Sequence, residues 1–248
     1  MPQIKDLIAH LDRLLEADEF KDYGPNGLQV PGRDEVQTVV TGVSANGPLI
    51  DAAVEAGADL VLVHHGLYWR GDPQQITPLL HRRLKPLFAH DVNLAAYHLP
   101  LDAHPEHGNN ALLAQRLGGV NARRFAGIGV AIDFDTPLTI EELTHRVRDA
   151  VDGREPLVVP GGPDTINNIG IVSGAATDDV LTALDEGLDA FLTGEPAERA
   201  YSIATDANIH FLAAGHHATE TLGVRRLGDL LAREFGVRHI YVDVPNPI

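Results

Sequence analysis

The chain has 248 residues, 44% of them hydrophobic, ample for a packed core in one large domain or two small ones; it has no cysteine, which excludes disulfides. Its formal charge of −16 includes only three lysines, Lys5, Lys21 and Lys85, against sixteen arginines. That negative field opposes duplex DNA, whose affinity rests on cations neutralising phosphates, and lysine depletion reads as a surface built for hydration in a high-salt, halophilic cytoplasm. No apolar run reaches the roughly 18 residues of a membrane span, and no basic, apolar leader is seen, so the expectation is a cytoplasmic protein.

Ile4, Leu7, Ile8, Leu11, Leu14 and Leu15 recur every three to four residues, which predicts an amphipathic first helix. Asn26-Gly27-Leu28-Gln29-Val30 follows and reads as a plain turn leading toward the first strand. Apolar, β-branched runs predict strands near 37 to 43, 59 to 64, 92 to 97, 127 to 133, 166 to 172, 189 to 193, 209 to 214 and 239 to 244. Helical patterns lie between most of them, at 48 to 56, 77 to 89, 109 to 117, 139 to 151, 178 to 186 and 217 to 235. Such alternation predicts an α/β protein with largely parallel sheets.

The chain also repeats itself. Residues 44 to 65 align without a gap on residues 174 to 195, pairing Gly57 and Asp59 with Gly187 and Asp189, and placing His64-His65 on Gly194-Glu195. Asn93-Leu94 then resembles Asn208-Ile209 before the next polar turn. The competing explanation is that any two strand–helix–strand units look alike. The repeat predicts two similar α/β halves, 1–125 carrying His64, His65 and Asp102 and 126–248 carrying His216 and Glu220, with an approximate boundary and possible intertwining. Open α/β sheets place ligands at the carboxyl ends of strands, where these polar residues fall.

Three stretches concentrate imidazole and carboxylate groups. Val63-His64-His65-Gly66 ends a strand, where the backbone can turn both side chains to one site. Asp102, in a loop stiffened by Pro100 and Pro105, offers a carboxylate able to bridge two cations, or a turn former. His98, His104 and His107 flank it. His216 and Glu220 are four apart at the start of a helix, with His217 and Glu220 as the competing pair and a cap through Thr219 or Glu220 as the simpler alternative. Tyr68, Trp69 and Arg70 read first as interface or core residues, and otherwise as a pocket for a flat base and an anion. Glu195, at a strand end, is a carboxylate opening a helix or an acid behind a ligand.

Nitrogen and oxygen ligands without thiolates suit zinc, iron, manganese, nickel or cobalt. Two ions roughly 3.5 to 4 Å apart can hold a bridging water and stabilise attacking and leaving oxygens. No P-loop, nucleophile elbow or dinucleotide fingerprint is present.

These residues resemble the Nif-three-like dinuclear metal centre family, whose bacterial members are often labelled GTP cyclohydrolase I type 2 homologues. The likeness includes Pro25-Asn26-Gly27-Leu28-Gln29-Val30, Val63-His64-His65-Gly66, residues 98 to 105, Thr193-Gly194-Glu195, residues 214 to 220 and Val244-Pro245-Asn246-Pro247. It implies two interlocked α/β halves, a homohexameric toroid, and two divalent metal ions per subunit held by His64, His65, Asp102, His216 and Glu220. His98 is implied as a further polar residue at the site, and the short stretch near 119 to 140 leaves no room for the inserted domain of some members. The expected function is metal-dependent hydrolysis of a nucleotide, related heterocycle or phosphoester through a bridging hydroxide, with His98 or Glu195 moving protons. The alternative is a non-catalytic metal-binding ring that serves as a scaffold for a protein, metal or nucleic-acid partner.

Overall fold

The computed structural model describes Met1–Ile248 throughout. In chain order the elements are α1 (Ile4–Leu14), β1 (Gly27–Val30), β2 (Thr38–Ser44), α2 (Gly47–Glu55), β3 (Leu60–His65), α3 (Pro78–Ala89), β4 (Asn93–Ala96) and α4 (Leu99–Ala103). There follow α5 (Asn109–Arg116), β5 (Val120–Phe125), β6 (Gly129–Leu138), α6 (Ile140–Ala150), β7 (Leu157–Pro160), β8 (Ile166–Ile171), α7 (Val180–Asp185), β9 (Ala190–Thr193), α8 (Arg199–Ala207), β10 (His210–Ala213), α9 (His216–Thr219), α10 (Thr221–Phe235) and β11 (Arg238–Tyr241). Helix starts follow local chemistry: Asn46 and Thr77 cap α2 and α3, each followed by a proline in the first turn, and Thr139 with Glu142 forms a capping box on α6.

The chain divides into two compact units, Met1–Leu101 with Gly223–Pro245, and Asp102–Leu222 with Asn246–Ile248. The first unit is discontinuous, most of α10 and all of β11 returning to it after the second unit.

In the first unit the sheet order is β1-β4-β3-β2-β11; β4, β3, β2 and β11 run parallel, and β1 is antiparallel to β4. Alternate strand residues separate two apolar layers. Val39, Leu60, Leu62 and Ala95 pack with Leu7 and Leu11 of α1 and Leu227 and Leu231 of α10, while Val40, Val61, Val63 and Leu94 pack with Leu49 and Ile50 of α2 and Leu84 and Leu87 of α3. Burial on both faces is why β3 reads as an unbroken apolar run rather than an alternating one.

The second unit repeats this plan around a sheet ordered β5-β6-β8-β9-β10-β7, whose centre β8-β9-β10 is parallel and whose flanking pairings are antiparallel. Ile169, Leu192 and Leu212 face Leu113 of α5 and Leu143 and Val147 of α6. Phe191 and Phe211 face Val180 of α7 and Ala204 of α8. Residues 119 to 140 form the β5–β6 hairpin and the start of α6.

The internal repeat is visible in backbone detail. Gly57 and Gly187 take φ of 70° and 69°, and their amides donate to Val54 and Leu184 carbonyls at 3.0 Å in both units. Asp59 accepts the amide of Gln37 at 2.8 Å, and Asp189 accepts the equivalent amide of Asn167 at 2.7 Å. The following strand corrects the expected register by two residues: the Asp59 carbonyl receives the Asn93 amide, but the Asp189 carbonyl receives the His210 amide, so Asn93 corresponds to His210. Asn208 instead matches Asp91, both at positive φ where the preceding helix ends.

Candidate metal centre

In the first unit, β3 delivers His64 and His65, and the residues after β4 deliver His98. Neighbouring strand residues normally point to opposite faces, yet the His64 and His65 rings lie 4.7 Å apart, because His65 is the last strand residue and the chain turns at Gly66. A Cβ at Gly66 would strike the Gln29 side chain, whose Oε1 accepts the Leu67 amide, so glycine lets that turn close. The His98 ring is 5.1 Å from His64 and 5.6 Å from His65. Each Nδ1 is engaged: His64 donates to the Tyr97 carbonyl at 2.9 Å, His65 shares a hydrogen bond with Ser44 Oγ at 3.0 Å, and His98 donates to Asp22 Oδ1 at 2.7 Å. Nε2 is then the atom each ring has left to offer, and one ring nitrogen from each of the three lies within 4.8 Å of the others. Partners on the far nitrogen that fix ring orientation are usual behind metal-binding histidines.

The loop before β1 does more than turn. Asp22, its side chain only 2% exposed, accepts four hydrogen bonds, and Asn26 Oδ1 accepts the His98 amide at 2.8 Å. Burial opposes charge on Asp22, but hydrogen bonding and attraction to His98, with the Asn26 and Tyr23 donors, outweigh it and hold its pKa down at about 2. The plain-turn reading of residues 26 to 30 is therefore corrected: Asn26 anchors His98, and Gly27–Val30 is a strand paired with β4. Trp69 is half-buried with its ring edge-on to His98 at 5.0 Å and 5.8 Å from His65, so it borders the histidines.

In the second unit, Asp102 is buried at 4% exposure and both Asn109 Nδ2 and Ser173 Oγ donate to its Oδ1, at 2.9 and 3.0 Å, orienting the carboxylate. Carboxylate oxygens of Asp102 and Glu220 lie within 4.8 Å. Gly215, at φ 96°, turns the chain from β10 into α9, which starts at His216. The expected single helix breaks at Glu220, whose φ of −117° separates α9 from α10. The i,i+4 pair still meets: His216 Nε2 is 3.2 Å from Glu220 Oε2, and His216 Nδ1 is 2.5 Å from Glu195 Oε1. Burial lowers the His216 pKa, but the hydrogen bonds and charges of Glu220 and Glu195 outweigh it and raise it to about 9. An ion held there through His216 would have to displace that proton.

Of the alternatives left open, His216 rather than His217 is the partner of Glu220; the His217 backbone amide instead donates to the Ile248 carbonyl. Glu195 stands behind His216 as an acid and does not cap a helix. His104 Nδ1 accepts the amides of Glu106 and His107 and its ring stacks on His107 at 4.8 Å, a turn-holding role. Three partners had no individual signal in the sequence. Asp22, Ser173 and Asn109 are brought to their imidazole or carboxylate only by the fold. The donor chemistry fits a divalent transition ion: three Nε2 atoms in one unit, and an imidazole with two buried carboxylates in the other.

Two repeated three-layer α/β units whose central strands end in buried His, Asp and Glu groups define a class of protein able to hold a metal ion at strand ends. The chain belongs to the family described as Duf34/NIF3 (NGG1p interacting factor 3), whose model matches residues 2–247. It is 44% identical over 252 residues to the GTP cyclohydrolase 1 type 2 homolog of Pseudomonas aeruginosa, covering 98% of each chain. Identity to the Vibrio cholerae protein of that name is also 44%, over 248 residues and 98% of each chain. A solved structure described as protein ybgI, of unknown function, shares 39% identity with a TM-score of 0.95, covering 99% of this chain and 100% of the other.

Proposed function

We propose that the chain is a metal-dependent hydrolase with a dinuclear centre, acting on a nucleotide, a related heterocycle or a phosphoester. The observation that supports this reading best is the pair of orienting contacts behind candidate site residues, Asp22 on His98 and Glu195 on His216, in units whose candidate ligands His64 and Asp102 are also hydrogen-bonded into place. The candidate ligands are His64, His65, Asp102, His216 and Glu220, with Asp102 the carboxylate able to serve two ions. Two bound divalent ions supply Lewis acidity toward an electrophilic substrate and make nearby water a better nucleophile at neutral pH. Glu195 holds the His216 ring in orientation. His98, with Nδ1 tied to Asp22, presents Nε2 as a proton acceptor beside the reacting atoms. Glu195 carries the second proton-handling role through its contact with His216 Nδ1, and the residue also lines a cleft of about 290 Å³ with Thr177, Asp178, Asp179 and Arg199. The subunits assemble as the homohexameric ring that the family resemblance implies.

The test is turnover. Protein loaded with manganese, iron or zinc is incubated with GTP and a panel of phosphoesters beside a His65→Ala, Glu220→Ala double variant. The expected result is metal-dependent product from wild type alone. If wild type and variant assemble alike and wild type releases no more product, hydrolysis is refuted and the metal-binding scaffold is the surviving function.

A further inference from the structure

Asp22 has no place in the ligand set, yet it is among the most completely bonded carboxylates near the histidines. Its Oδ1 accepts the Tyr23 amide at 2.6 Å and His98 Nδ1 at 2.7 Å, and its Oδ2 accepts Asn26 Nδ2 at 3.0 Å and the Leu99 amide at 2.9 Å. Its ion-pair partner is His98, and no Lys or Arg side chain pairs with its carboxylate. An ionised carboxylate only accepts hydrogen bonds, so the hydrogen between the two side chains sits on Nδ1. Neutral imidazole then carries its lone pair on Nε2, the nitrogen left to offer in a group where one ring nitrogen from each of His64, His65 and His98 lies within 4.8 Å of the others.

We propose that Asp22 is a positioning residue that locks His98 in the Nδ1–H tautomer and so directs the Nε2 lone pair at the metal centre. The lock is built redundantly: Asn26, held by Asp22, also accepts the His98 backbone amide, fixing main chain and ring together. Trp69 sets the ring from the side, edge-on at 88°. Nothing in this depends on which substrate the centre acts upon, and only its metal readout rests on the function proposed above.

Asparagine cannot replace Asp22 here. Each carboxylate oxygen receives one backbone amide, from Tyr23 or Leu99, and neither donor can reverse, so an amide NH₂ on either side loses a backbone hydrogen bond.

The experiment has two readouts. Long-range ¹H–¹⁵N NMR of histidine-labelled protein, metal-free and zinc-loaded, reports the His98 tautomer. Competition against a chelator reports zinc affinity. Wild type is expected to be Nδ1–H at His98. Asp22→Ala and Asp22→Asn are expected to gain Nε2–H population and to weaken zinc binding, because a His98 ring nitrogen lies in a three-histidine group able to hold an ion. Asp12→Asn is the control, removing a carboxylate bonded to Tyr97 Oη at 2.7 Å in the same unit, and it should leave both readouts at wild type. An Nε2–H His98 in wild type overturns the proposal without any variant. So does retention of Nδ1–H and near-wild-type zinc affinity in both Asp22 variants, which would leave Asp22 a loop anchor. If wild type binds no zinc, the metal-centre reading fails, while the tautomer still decides the lock.

Discussion

Gly174→Ala, set beside Gly187→Ala, separates backbone strain from crowding of a candidate ligand. Both glycines are left-handed, at φ 70° and 69°, so alanine costs each about 1–2 kcal/mol. Their surroundings differ. A Cβ at Gly187 meets nothing within 4 Å, whereas one at Gly174 would collide with Glu220 Oε1 and lie 3.3 Å from His216 Nε2. Glu220 cannot swing clear, because its side chain is 3% exposed. Displacing it adds about 1–3 kcal/mol of overpacking cost. For a chain of this size each kcal/mol lowers Tm by about 2–4 °C, so metal-free Gly174→Ala should melt clearly below metal-free Gly187→Ala. Chelator competition should show weakened zinc binding in Gly174→Ala alone. Equal melting of the two variants would refute the steric reasoning. A lower Tm with unchanged zinc affinity would remove Glu220 from the ligand set.

Gly57→Ala should match Gly187→Ala, costing about 1–2 kcal/mol in thermal or urea melts, because its φ is 70° and its Cβ also enters open space; unequal costs would break the equivalence of the repeats. Asp59→Ala strips acceptors from the Gln37 and Thr38 amides and from Arg33, and should destabilise by about 2–4 kcal/mol, seen as a lower urea midpoint. Arg154→Ala removes the donor to the Asn246 and Pro247 carbonyls that sits against Gly215, and should speed amide exchange at His217 and the C-terminal residues while leaving α1 unchanged. Asp22 has a folded pKa of about 2, below its unfolded 3.8, so its charge contributes stability above about pH 4 that is lost as pH falls through 2. That contribution is about 2 kcal/mol; urea midpoints of wild type and Asp22→Asn should differ at pH 5 and converge toward pH 2.

The sequence by itself determined the alternation of strands and helices, the repeat, and the clustering of imidazole and carboxylate groups at strand ends. The reason is that β3, β9 and β10 are buried on both faces, and double burial writes an apolar run bounded by turns. Elements without that signature were not legible. β5 is an exposed edge rich in Arg and Asn, β7 is four residues long, and α8 buries only Ala200 and Ala204. The break at Glu220 was hidden because His216 and Glu220 sit four apart with or without a continuous helix. What only the tertiary structure decided is the support of the site. Asp22 meets His98 across 76 positions, Ser173 meets Asp102 across 71, and Glu195 meets His216 across 21. Local periodicity carries no information about such pairings, because a hydrogen bond between distant segments is set by where the packed sheets and helices bring them.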